Sequence, residues 1–89
     1  VMGIGIALKS EVTFEKGVAA QSNFHDYLLP RMPDAPKVVR VHLIDNPGDA
    51  MGGVGEPGLP PVAPALCNAI HAATGKRIRR LPVADQLKS

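Results

Sequence analysis

A glutamate set in almost bare backbone is the residue of this sequence best placed to do chemistry. Glu56 lies in GGVGEPGLPPVAP, residues 52–64, among Gly52, Gly53, Gly55 and Gly58, with Pro57, Pro60 and Pro61 behind it. A carboxylate can act as a general base when its position is fixed and its pKa suits the working pH. Pro57 restricts the backbone beside it. Burial near an apolar site would raise the pKa of Glu56, and the start of a following helix would lower it; the sequence leaves the balance open. The glycines let main-chain N–H groups approach a ligand closely, and a glycine loop entering a helix is a favourable place for negative charge. The pattern is neither a Walker loop nor GxGxxG. The plain alternatives are a flexible connector and a solvated loop acid.

The other chemically capable residues give weaker signals. His25, His42 and His71 share no metal-ligand spacing with one another or with Cys67. Ordinary packing and surface roles account for the histidines, and Cys67 reads as a small buried apolar residue. The run KRIRR, residues 76–80, could touch phosphate, yet cations just past a helix end are favoured by the helix dipole anyway. Without interleaved aromatics it does not point to nucleic acid.

The elements that must hold Glu56 follow from periodicity. The loop spans residues 46–59. A helix is expected from Pro60-Pro61 onward, proline being tolerated in a first turn, with Val62, Leu66, Ala69, Ile70 and Ala73 as its apolar stripe. Gly75 is expected to end it. Upstream, KVVRVHLID at residues 37–45 alternates Val39, Val41 and Leu43 with Arg40 and His42 and reads as a strand. Residues 22–36, with Pro30, Pro33 and Pro36, read as a traversing segment without a helix. Residues 11–21 read as a β-hairpin with two competing registers. A two-residue turn at Lys16-Gly17 pairs Phe14 with Ala19. A three-residue loop pairs Phe14 with Val18 and gathers four apolar residues on one face, and that register is expected. Residues 2–9 read as the end of a helix, despite Gly3 and Gly5, and RLPVADQLKS reads as a surface tail.

The totals bound what such elements can be. Eighty-nine residues allow one domain at most. With aromatics at 3%, any core must come from Val, Ile, Leu and Ala. A net charge of +2 implies no particular partner. One cysteine permits no internal disulfide and leaves the redox compartment open. No apolar run approaches the ~20 residues that span a bilayer. The apolar opening, Val1 to Leu8, resembles a helix entered midway, so the chain is expected to be the last part of a longer protein. The fold class expected is α+β: a hairpin plus a further strand packed with a C-terminal helix and the end of an N-terminal helix.

GGVGEPGLPPVAPALCNAIHAATGKRIRRLP resembles the C-terminal end of the large, molybdenum-binding subunit of the molybdenum hydroxylases, in the branch of the isoquinoline 1-oxidoreductase β-subunit, aldehyde oxidase and xanthine dehydrogenase. IGIALKSEVTFEKG and QSNFHDYLLPRMPDAPKVVRVHLI resemble the same family, so the likeness covers almost the whole chain, and GVGEPG is its most specific part. The resemblance implies that residues 1–89 are one C-terminal fragment of a molybdopterin-binding domain. It implies that Glu56 is the catalytic base and that Gly53, Val54 and Gly55 run beside the molybdopterin cofactor. It implies hydroxylation of an aldehyde or N-heterocycle with oxygen from water, and electrons leaving through iron–sulfur clusters on a separate small subunit. The partners implied are that subunit and the remainder of the large subunit. The chain is much shorter than such a subunit, so in isolation it is expected to be inactive, and self-association would be one way to cover its exposed faces. The alternative function is a non-enzymatic interaction or assembly domain derived from this fold. A third reading is an anion-binding module built from the glycine loop and the basic run. Substrate, electron acceptor and compartment (cytoplasmic or periplasmic) are not legible.

Overall fold

Two short glycine side-chain vacancies hold the structure together. The computed structural model describes residues 1–88. Its first helix, α1, spans Met2–Leu8, and its longest, α2, spans Val62–Thr74. A Cβ built on Gly3 would lie 2.9 Å from Val62 Cβ, and one on Gly5 would lie 2.5 Å from Pro30 Cγ. Glycine therefore lowers the intrinsic stability of α1 but permits its backbone to sit directly on α2 and on the proline segment. Lys9, at the end of α1, donates to Asp34 Oδ2 at 2.6 Å, while the Ser10 hydroxyl donates to the Leu28 carbonyl at 2.7 Å.

RLPVADQLKS lies mostly at the surface, as expected, over its described residues 80–88, with Val83 its one buried residue; residue 89 lies outside the described residues. Val83 and Ile78 are buried together with Ala7 of α1, and the Val83 amide donates to the Ala7 carbonyl at 2.8 Å. Val83 is one apolar residue held by a backbone bond, and such contact leaves no periodic signal.

The hairpin forms with β1 at Phe14–Glu15 and β2 at Val18–Ala19, but in the other register, with Phe14 opposite Ala19 and Glu15 opposite Val18. Burial of an apolar face was the reason to expect the three-residue loop. That face is not buried, since Phe14 is 71% and Val18 69% exposed. Local geometry decides instead. Lys16 and Gly17 both take positive φ, 51° and 83°, the two-residue turn whose twist matches the strands. The Gln21 side chain then closes the open end, accepting from the Thr13 amide at 2.7 Å and donating to Thr13 Oγ1 at 2.9 Å.

Residues 22–36 cross the molecule without an α-helix, as their prolines require, with one three-residue 3₁₀ turn at Met32–Asp34. The turn at residues 22–26 is organised by Asp26. Its carboxylate accepts from the Asn23 amide at 2.9 Å and the Ser22 amide at 2.9 Å. Those backbone bonds, the one to Asn23 foremost, lower its pKa from the ordinary 3.8 to about 2.

The further strand expected at 37–45 does not form. Among the described residues the only sheet is β1–β2, and every residue from 36 to 61 is exposed. A strand needs a hydrogen-bonding neighbour, and the hairpin's two short strands pair only with each other. The result is an open molecule. Its accessible surface is 7663 Å², against about 5,000 Å² for a compact monomer of this mass. Its radius of gyration is 16.5 Å, against about 12 Å for a compact domain of this length. Among the described residues no helix is long and apolar enough to cross a membrane.

Two outcomes are expected. Gly5→Ala forces a methyl into the Pro30 ring and lowers stability by about 1–3 kcal/mol, the usual range for overpacking; denaturant titration of the chain checks it. Asp26 favours folding in its charged form, so its contribution is complete above about pH 4 and is lost as pH falls through about 2. Carboxyl NMR should follow that low midpoint, with the Ser22 and Asn23 amides moving alongside, and Asp26→Asn should abolish the step.

Candidate functional site

α2 carries the candidate site at its entrance. The helix begins at Val62 with Pro61 as N-cap, and it ends at Gly75, where φ is 74° and the amide donates to the His71 carbonyl at 2.8 Å. Its half-buried positions are Val62, Leu66 and Ile70 in one row and Ala63, Cys67 and His71 in the next. Ala69 and Ala73, expected in the apolar stripe, are exposed. The packed face is thus turned toward Ala63 and Cys67, where α1 and residues 77–81 lie against it.

Glu56 is joined to this helix by consecutive turns. The Leu59 amide donates to the Glu56 carbonyl at 2.9 Å, the Val62 amide to the Leu59 carbonyl at 3.2 Å, and the Ala65 amide to the Pro61 carbonyl at 3.1 Å. The backbone of Glu56 therefore follows the start of α2. Its side chain is exposed, and among the described residues it makes no ion pair and no side-chain hydrogen bond. It stands free to meet a group from outside the chain.

The glycines around it have no reason for being glycine within the chain. Gly52, Gly53, Gly55 and Gly58 have no atom within 4 Å of a built Cβ, and none takes the positive φ seen at Gly17, Gly48 and Gly75. Backbone conformations reserved to glycine are thus not what they supply in this structure. What remains is the absence of side-chain cover over residues 52–58. That arrangement fits a bulky group laid along the main chain. The chain offers no ligand set of its own, since among the described residues no three His, Cys, Asp or Glu side chains gather to hold a metal ion.

The other candidates fall into structural roles. His25 lies 3.4 Å from Asp26, and Cys67 is half-buried in α2. His42 lies in the exposed 36–61 stretch. His71 Nδ1 lies 2.9 Å from Arg77 Nη2; because a guanidinium only donates, Nδ1 accepts and the neutral ring carries its proton on Nε2. Arg77 also donates to Asn68 Oδ1 at 3.0 Å, so the start of the basic run is tied back to α2. Arg77, Arg79 and Arg80 line an open groove of about 330 Å³ with Cys67 and Asn68. The loop glycines do not line it, so the structure does not join the glycine loop and the basic run into one anion site. A second, apolar groove of about 240 Å³ is lined by Gly3, Ile6, Leu59, Pro60 and Ala63, at the junction of α1 with the turns that follow Glu56. Sequence reasoning missed this junction; the spacing of Gly3 and Gly5 within a helical stretch was the available signal.

Comparison with known proteins gives a consistent answer. The chain is 40% identical over 87 residues to the isoquinoline 1-oxidoreductase subunit beta of Brevundimonas diminuta, covering 98% of this chain and 11% of the relative. It is 41% identical over 90 residues to the xanthine dehydrogenase molybdenum-binding subunit of Escherichia coli O157:H7, covering 96% of this chain and 12% of the relative. It is 36% identical over 89 residues to the aldehyde oxidoreductase molybdenum-binding subunit PaoC of Escherichia coli (strain K12), covering 92% of this chain and 12% of the relative. The chain therefore spans roughly a ninth of the length of the curated relatives it matches. No family model and no solved structure matches it.

Proposed function

Because this chain is homologous along nearly all its length to a segment of the molybdenum-binding subunits of molybdenum hydroxylases, we propose that it supplies the catalytic base of such an enzyme. The observation that carries the proposal is Glu56: an unpaired carboxylate on backbone without side-chain cover, tied by turns to the start of α2. The substrate class is an aldehyde or an N-heterocycle, hydroxylated with oxygen from water.

Gly53, Val54 and Gly55 lie along the molybdopterin cofactor in this reading. When bound, that group would take up the hydrogen of the substrate C–H bond together with its electron pair, and iron–sulfur clusters on a small subunit would carry the two electrons away. Glu56 performs the proton transfer. Its carboxylate accepts the proton of the water-derived oxygen as that oxygen becomes nucleophilic toward the electron-poor carbon. Pro57 and the Glu56–Leu59 turn tie the backbone of Glu56 to the start of α2. The glycines keep the approach free of Cβ atoms. Residues 1–89 form the C-terminal part of the cofactor-binding domain and depend on the remainder of the large subunit for activity.

In the assembled enzyme, Glu56→Gln keeps the shape and removes the proton acceptor. Turnover should fall by at least ~100-fold with the molybdenum content intact, the lower range for general-base contributions. Gly53→Val and Gly55→Val test the cofactor contact separately. Each Cβ meets open space within the chain, so the stability of the isolated chain should stay within about 0.5 kcal/mol, as for ordinary surface substitutions. The assembled subunit carrying either change should lose bound molybdenum, measured by elemental analysis.

A further inference from the structure

Residues 38–44 carry the pattern of a half-buried strand and the exposure of an unfolded segment. Val39, Val41 and Leu43 fall on one face of an extended backbone; Arg40 and His42 fall on the other, flanked there by Val38 and Ile44 at the two ends. Yet Val39 is 68% exposed, Val41 75% and Leu43 92%. Monomeric proteins rarely leave such a run uncovered. Nothing within the described chain can pair with it, because the only sheet is the β1–β2 hairpin.

We propose that residues 38–44 add as a strand to a sheet edge supplied by the rest of the large subunit, with Val39, Val41 and Leu43 facing its core. The occupant is argued from length. The relatives extend to about nine times the part matched here, ample chain to hold a sheet. The alternation at 39, 41 and 43 and the absence of helix over 38–44 favour strand addition over a helix laid in a groove. Main-chain hydrogen bonds would give the attachment its affinity, and the alternate apolar side chains would fix its register. Pairing would also anchor the loop that carries Glu56. Its downstream end is held by the turns into α2, whereas its upstream end, at Asp45, has no anchor among the described residues. The inference rests on the relationship to the large subunits but not on the role given to Glu56.

Hydrogen exchange on the assembled large subunit and on the isolated chain tests it. Alternate amides within 39–43, those facing the partner edge, should exchange on the order of a hundredfold more slowly in the assembled subunit, reflecting opening of a paired strand. The same protection should appear in the Glu56→Gln subunit, whose loss of turnover reports on the base alone. Val41→Lys should remove the protection, and Arg40→Ala should keep it. Equal, fast exchange in both unmodified samples would overturn the proposal, independent of how any variant folds. Protection in the isolated chain accompanied by a dimer in sedimentation would also overturn it, by making a second copy the occupant.

Discussion

The backbone of α1 lies against Val62 only because Gly3 has no side chain. That contact fixes where the first turn of α2 sits, and the turn at residues 56–59 leads straight into it. The position of Glu56 is therefore set from two directions, by proline-restricted backbone within the loop and by helix packing beneath it. The Ala7–Val83 hydrogen bond and the burial of Ile78 secure the other end of α1. The whole arrangement is a small clamp around α2, and the loop with Glu56 projects from it.

The remainder of the chain is open to solvent. A surface half as large again as that of a compact protein of this mass means that burial within the chain cannot account for its apolar content. Exposure is concentrated in residues 36–61, the same stretch that holds the alternating valines, the glycines and Glu56. The features on which the two proposals rest thus coincide in one segment. This is why the loop glycines look unexplained when the chain is viewed alone: each leaves open a space that the chain itself does not use.

Local signals were legible in the sequence. The start of α2 after Pro60-Pro61, its end at the left-handed Gly75 and the absence of an α-helix through Pro30, Pro33 and Pro36 all follow from backbone restrictions carried by single residues. Signals that depend on burial were not. The apolar face that favoured the three-residue loop is left exposed, so turn geometry at Lys16-Gly17 prevailed. The 37–45 strand was sound as a pattern but had no neighbour. Val83 entered the core by a backbone bond that composition cannot reveal. For the candidate site, the GVGEPG motif singled out Glu56 at once, whereas the packing that positions it became visible only through the contacts of Gly3 and Gly5.

The central claim is that Glu56 reaches a molybdenum cofactor across backbone left bare for that purpose. A crystal structure of the assembled, cofactor-loaded enzyme measures this most directly. The account predicts the Glu56 carboxylate at hydrogen-bonding reach of the reacting oxygen, with Gly53 and Gly55 against the pterin and no side chain between them. A carboxylate directed into solvent, with the cofactor bound elsewhere, would contradict it.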